Sequence, residues 1–141
     1  GSALNASRSF AAQPTAFVTE FRVEPMQSNQ RLTIALNDGT SDCVLVYFHE
    51  NGFIRYYNGA TLATSDAYTA SPGSAVVPYD VRLAANPATG TFDLYINGVR
   101  KVAQASFKTA AAATGLQTLK FTTLSTATGV TAYVDNVRVY R

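Results

Sequence analysis

Residues 43–58, Cys43-Val-Leu-Val-Tyr-Phe-His-Glu-Asn-Gly-Phe-Ile-Arg-Tyr-Tyr-Asn58, constrain this chain more than any other stretch. Two β-rich runs flank Glu50-Asn51-Gly52. A three-residue loop ending in glycine fits a type I turn followed by a left-handed residue. That loop predicts His49 opposite Phe53, Phe48 opposite Ile54, Tyr47 opposite Arg55, Val46 opposite Tyr56 and Leu45 opposite Tyr57. Side chains alternate along a strand, so Val44, Val46, Phe48, Ile54 and Tyr56 share one face and read as core. Leu45, Tyr47, His49, Phe53, Arg55 and Tyr57 share the other. That second face is too polar for an interior and too aromatic for an idle surface. A two-residue Asn51-Gly52 turn would set Phe48 opposite Arg55 and mix the faces, so the three-residue register is the one adopted.

The same alternation runs through the rest of the chain. Ser7–Phe10 is a short first strand. From 16 to 24, Phe17, Thr19, Phe21 and Val23 oppose Val18, Glu20, Arg22 and Glu24 until Pro25 stops the run. Leu32, Ile34 and Leu36 oppose Arg31, Thr33, Ala35 and Asn37, and Asn37-Asp38-Gly39-Thr40 signals a turn. A weak strand is expected at 60–64 and a loop at 65–74 containing Pro72-Gly73. Strands follow at 76–86, interrupted near its start by Pro78, and at 91–96. Asn97-Gly98 has the composition of a two-residue type I′ hairpin turn, and 99–105 is the return strand. The alanine run at 108–114 predicts one short helix in a connection. The last strands are 116–124 and 130–141. Roughly ten or eleven short strands with regular turns and almost no helix predict an all-β sandwich or closed barrel.

The chain has 141 residues, enough for one domain with a real core. Gly1-Ser2 resemble a cloning remnant, leaving 3–141 as a single domain expected to come from a longer protein. Residues other than these hold no secretory apolar core and no run long enough to span a bilayer, so no membrane partner is expected. Only 14% of residues are charged. Thr, Ala, Ser, Asn and Gly fill the surface instead, a composition common in secreted bacterial β-domains. Cys43 is the sole cysteine, which excludes an internal disulfide and a cysteine-based zinc site. In a strand it reads as a small hydrophobe. Net charge is +2 without a basic block, which argues against nucleic acid. Arginine supplies 8 of the 11 cationic residues, and arginine forks suit carboxylates and aromatic faces.

Three motifs occur in order: Tyr79-Asp-Val-Arg-Leu-Ala, Gly90-Thr-Phe-Asp-Leu-Tyr-Ile-Asn-Gly-Val99 and Tyr133-Val-Asp-Asn-Val-Arg-Val139. In this the chain resembles the concanavalin A-like lectin/glucanase jelly rolls. It is similar in particular to the laminin-G-like branch appended as carbohydrate-binding modules to bacterial polysaccharide-degrading enzymes. The motifs lie in the C-terminal half; the N-terminal half matches by strand count. The resemblance implies a two-sheet antiparallel jelly-roll sandwich with sugar on a concave face or loop edge. The glucanase ExDxxE strand is missing, as are the strand motifs of alginate-lyase jelly rolls, although Tyr47-Phe-His49 resembles the surroundings of their histidine. There is no tryptophan, so tyrosine must serve as any stacking platform.

Glycoside hydrolysis needs two facing carboxyl groups, and the few acids here form no such pair. A polysaccharide lyase needs a base and a neutraliser for a uronate carboxylate, which His49, Tyr47, Tyr57 and Arg55 offer as residue types. Sugar binding asks less: flat rings for apolar sugar faces, with Arg, Asn and His for hydroxyls or carboxylates. The expected binding face is therefore Tyr47, His49, Arg55 and Tyr57, joined by Arg31 and Asn37 if their strand is adjacent. Ordinary cross-strand pairs on a solvated sheet would have the same composition. The expected partner is a polysaccharide or oligosaccharide, acidic if the arginines are a guide, bound by a non-catalytic module covalently linked to a catalytic domain. A lyase and a protein-binding adhesion module are the alternatives. No cofactor is required, although Asn37-Asp38-Gly39 and Asp135-Asn136 have the oxygen chemistry for structural calcium.

Overall fold

The computed structural model describes residues 4–70, 77–124, 126, 129 and 131–141. Among these there are eleven strands and no helix: β1 (Asn5–Gln13), β2 (Phe17–Pro25), β3 (Leu32–Asn37), β4 (Asp42–Phe48), β5 (Phe53–Asn58), β6 (Thr61–Ala67), β7 (Tyr79–Asn86), β8 (Thr91–Ile96), β9 (Val99–Ser106), β10 (Leu116–Thr123) and β11 (Ala132–Tyr140). They form two antiparallel sheets, a six-stranded one in the order β1-β10-β3-β4-β5-β6 and a five-stranded one in the order β11-β2-β7-β8-β9. Of the sandwich and the closed barrel that the strand pattern allows, this is the sandwich, with the jelly-roll form that the resemblance implies.

Alternation builds the core directly. Leu32, Ile34 and Leu36 of β3, Val44, Val46 and Phe48 of β4, and Leu119 and Phe121 of β10 point inward from one sheet. Phe17, Phe21 and Val23 of β2, Val81 and Leu83 of β7, and Phe92 and Leu94 of β8 meet them from the other. Burying such side chains stabilises by about 1.5–3 kcal/mol each before the entropy of ordering is subtracted. The central hairpin has the expected register, Val46↔Tyr56, Tyr47↔Arg55 and Phe48↔Ile54. Its three-residue loop closes through His49 N–H to Phe53 O (3.0 Å) and Gly52 N–H to His49 O (2.9 Å). Gly52 sits at φ 82°, which glycine reaches without a Cβ clash. At the other strong turn both Asn97 and Gly98 have positive φ, as a type I′ hairpin requires.

Two expectations are corrected. The weak strand at 60–64 extends to Ala67, and the loop placed at 65–74 begins only after it; Pro72-Gly73 lie outside the described residues. The alanine run at 108–114 is not helical. That segment joins the two sheets across one end of the sandwich, where strand ends offer stronger partners than a single helical turn would. Phe107 is buried, Lys108 N–H bonds Cys43 O (2.8 Å), and Ala112 N–H bonds the Asp38 carboxylate (2.8 Å). An isolated helix of this length would also face an unfavourable nucleation step.

Thr19 breaks the apolar alternation of β2. It is fully buried, and its hydroxyl has no hydrogen-bond partner. A buried unmade hydrogen bond is costly, whereas an apolar group of the same shape is not. Thr19→Val is therefore expected to stabilise the domain by about 1 kcal/mol in urea unfolding. A loss of stability would show that the hydroxyl is bonded after all.

Candidate functional site

The outer face of the six-stranded sheet is assembled by register. Thr33 pairs with Tyr47, Tyr47 with Arg55, and Arg55 with Thr64, a row that crosses β3, β4, β5 and β6. The next row holds Ala35 opposite Leu45 and Tyr57 opposite Leu62. Ala35, Leu45 and Tyr47 form a second apolar cluster, separate from the core, with Tyr57 and Leu62 packed against it. β3 is adjacent to β4, as the inclusion of Arg31 and Asn37 required.

Arg31 precedes β3 and reaches the hairpin loop. Its Nε donates to Glu50 Oε2 (2.7 Å) and its Nη2 to Oε1 (2.5 Å), a two-pronged grip on one carboxylate. The same Nη2 lies 3.3 Å from His49 Nε2. The Arg31 hydrogen bonds hold the Glu50 carboxyl down at about 2. Burial lowers the His49 imidazole, outweighing the pull of Glu50 toward the charged form, so the ring is neutral near pH 7. Nε2 thus lies against a guanidinium that can only donate, while Nδ1 faces both the Asn51 N–H (3.4 Å) and Glu50 Oε2 (3.3 Å).

Tyr47 and Tyr57 share the outer face, but neither offers a bare ring. Tyr47 is only 9% exposed, and burial raises its phenol pKa. The Arg31 guanidinium lies 5.4 Å from its ring centre, and His49 and Tyr57 flank it edge-on at 6.2 and 6.1 Å. The Lys108 ammonium stands 4.5 Å from the Tyr57 ring centre. The expectation of an open tyrosine platform is thus corrected: a cation sits over each ring, held by the π-cloud. Arg55 donates one long hydrogen bond to Leu62 O (3.4 Å), and its buried Nε has no partner.

Asn37 is also corrected as a surface contact. It is buried; its amide donates to Asp42 Oδ1 (2.7 Å) and its Oδ1 accepts from Gly39 N–H (2.7 Å). Both ends serve the β3–β4 turn. Next to it, the Asp38 carboxylate accepts from Ser41, Thr40 and Ala112 N–H groups, which lower its pKa. Its oxygens face donors instead of an open coordination space, and Asp135 Oδ1 likewise accepts from Asn136 N–H. No group of three or more His, Cys, Asp or Glu suited to a metal occurs among the described residues. Cys43 is buried, and burial pushes its thiol up to about 12, so it stays protonated.

Sequence reasoning left Glu50 in the turn and passed over Lys108 and Leu62. Glu50 was recoverable, because Leu32 opposite Phe48 brings Arg31 beside the loop. Lys108 was not, since its place depends on the path of the connection between the sheets.

The sequence matches no protein-family model and no curated protein. Among solved structures, a sialidase superposes over 98% of this chain with a TM-score of 0.81 and 17% identity, the matched part being 14% of that chain. A tetrameric galectin from the ball sponge Cinachyrella covers 98% of this chain and 100% of its own, with a TM-score of 0.68 and 14% identity. A Trypanosoma rangeli sialidase mutant displaying trans-sialidase activity covers 90% and 21%, with a TM-score of 0.61 and 15% identity. The fold is the concanavalin A-like, lectin-type jelly roll.

The Arg31–Glu50 pair gives the face an acid-labile component. Glu50 is depressed from 4.5 to about 2, so its stabilising contribution is complete above 4.5 and is lost as pH falls through about 2. In thermal unfolding, Glu50→Gln is expected to melt below wild type at neutral pH. The gap should narrow steadily from about pH 4.5 and vanish near pH 2. A pH-independent gap would mean that the pair contributes nothing through its charge.

Proposed function

We propose that this domain binds carbohydrate without altering it, on the outer face of the six-stranded sheet. The observation that carries the reading is the fixed Arg31–Glu50–His49 array at the rim of the Tyr47 cluster. It sets a guanidinium, a carboxylate and an imidazole around a small apolar floor. Sugar recognition needs that combination, since pyranose rings have apolar C–H faces and hydroxyl rims. Support also comes from the lectin-type fold and from the galectin matched along its full length.

The wider setting belongs to the same proposal. The fold occupies 14% of the matched sialidase chain, which supports a module linked to a larger carbohydrate-active protein. The low-charge surface, rich in Thr, Ser and Asn, suits a secreted bacterial protein that handles polysaccharide.

His49 is neutral and would suit a lyase base by charge alone. Its geometry argues otherwise: Nε2 faces an Arg31 N–H, and Nδ1 faces the Asn51 N–H and Glu50, so neither ring nitrogen is open to a substrate. A base must have its lone pair free for substrate.

Affinity electrophoresis against a polysaccharide panel tests the binding. Wild type is expected to be retarded by at least one polymer, and Arg31→Ala and Glu50→Gln to weaken retention about tenfold or more while remaining folded by circular dichroism. Unchanged retention in both variants would move the site off this face. Growth of double-bond absorbance on incubation with uronate polymers would replace the binding module with a lyase.

A further inference from the structure

Four cations reach the outer face of the six-stranded sheet, and they divide into two kinds. Arg31 is neutralised by Glu50, and Lys120 by Asp42 at 3.0 Å. Arg55 and Lys108 have no carboxylate partner among the described residues. Both lie beside Tyr57: Arg55 is two positions before it on the same face, roughly 7 Å along the strand, and Lys108 stands over its ring.

What the protein gives each of them is slight. Arg55 makes one hydrogen bond of 3.4 Å and leaves its buried Nε unbonded. Lys108 is an exposed side chain resting on a π-face, a weak attraction where water reaches the ammonium. With Nε buried, the Nη groups of the Arg55 guanidinium are what remain for another acceptor. Stacking of a sugar on Tyr57 would require Lys108 to move, whereas an anion would be met by Lys108 where it stands.

We propose that Arg55 and Lys108 form an anion subsite beside Tyr57, so that the glycan bound here is an acidic one carrying a carboxylate or a sulfate ester. This rests on the sugar-binding reading above and narrows its ligand class. A carboxylate or sulfate oxygen pair accepts from the Arg55 fork, and the ammonium supplies the second positive charge. The neutral Arg31–Glu50–His49 side of the face is left to the hydroxyls. Because both charges are partly solvated, the attraction is screened by salt.

The test is affinity electrophoresis and titration calorimetry with two matched pairs of polymers, polygalacturonate against its methyl ester and carrageenan against agarose, each at low and high sodium chloride. At least one anionic polymer should bind about tenfold more tightly than its neutral counterpart, with the preference shrinking at high salt. Preference for polygalacturonate assigns a carboxylate, preference for carrageenan a sulfate, and preference for both an anion of either kind. Lys108→Gln, at an exposed position, and Arg55→Gln should each reduce the preference severalfold, and together abolish it. Arg138→Gln, on the outer face of the other sheet, should leave it intact.

Equal binding of neutral and anionic polymers overturns the anion subsite and leaves sugar binding standing. A preference that survives the double substitution, or falls equally in Arg138→Gln, overturns it too, the latter by showing bulk charge attraction. Binding of none of the four polymers and of no other glycan in the panel overturns both readings.

Discussion

The hydrogen-bonded turn at Glu50-Asn51-Gly52 holds the register on which both faces of the six-stranded sheet depend. Side chains alternate with period two, so a slip of one residue would send Arg55 and Tyr57 into the core and Ile54 and Tyr56 out of it. One backbone conformation and two hydrogen bonds guard against that slip. Gly52 adopts the left-handed conformation at φ 82°. Tyr68 N–H bonds Gly52 O (3.0 Å), and the Tyr68 hydroxyl bonds His49 O (2.9 Å). The ring of Tyr68 meanwhile packs on Phe48 in the core, with centroids 5.1 Å apart. One side chain therefore ties the loop carrying Glu50 and His49 to the interior. The Arg31 grip on Glu50 is added to a loop already fixed.

A sheet face in a sandwich is normally either core or water-facing, and this one is neither. Tyr47 and Leu45 point away from the core yet are almost as buried as core residues. Tyr57 and Leu62 pack against them, and the Arg31 guanidinium lies over Tyr47. Long cationic side chains cover apolar surface with their stems while keeping charge at the rim. The result is a surface that is apolar underneath and charged on top. Its chemistry toward a ligand is set by which of those charges the protein has already neutralised.

The fold was legible because its signals are local. Alternation from Phe17 to Val23, the three-residue loop before Phe53, and Asn97-Gly98 each specify a strand or turn within a few residues, and each holds in the structure. The outer face was legible in composition for the same reason: Tyr47, Arg55 and Tyr57 leave the core together. The accessibility of each group was not legible. Asn37 has the look of a surface amide, but Asp42 and the amide of Gly39 occupy it. Tyr47 has the look of a platform, but Arg31 crosses it because β3 begins beside the hairpin loop. The alanine run misled for a related reason. Helix propensity is a weak local preference, and here the open amides of 107–115 are drawn to Cys43 O and Asp38 at the end of the sandwich.

That connection also explains how one sandwich can host different surfaces. Gly115 ends it with its Cα so close to the chain that a Cβ would meet Gln13 O at 1.9 Å, and Asp38 fixes its middle through the amide of Ala112. Clamped at those points, the segment has little freedom to shift as a whole, yet Lys108 projects from it onto the outer face. A residue at that position alters the charge over Tyr57 without touching any strand register or any core contact. The solved structures that share this fold do so at 9–17% identity, which is enough to preserve an alternating core and too little to preserve a particular surface. On such a scaffold the chemistry of a face is set by the side chains that the strands and the end connection deliver to it, and here these include Arg55 and Lys108, which have no carboxylate partner among the described residues.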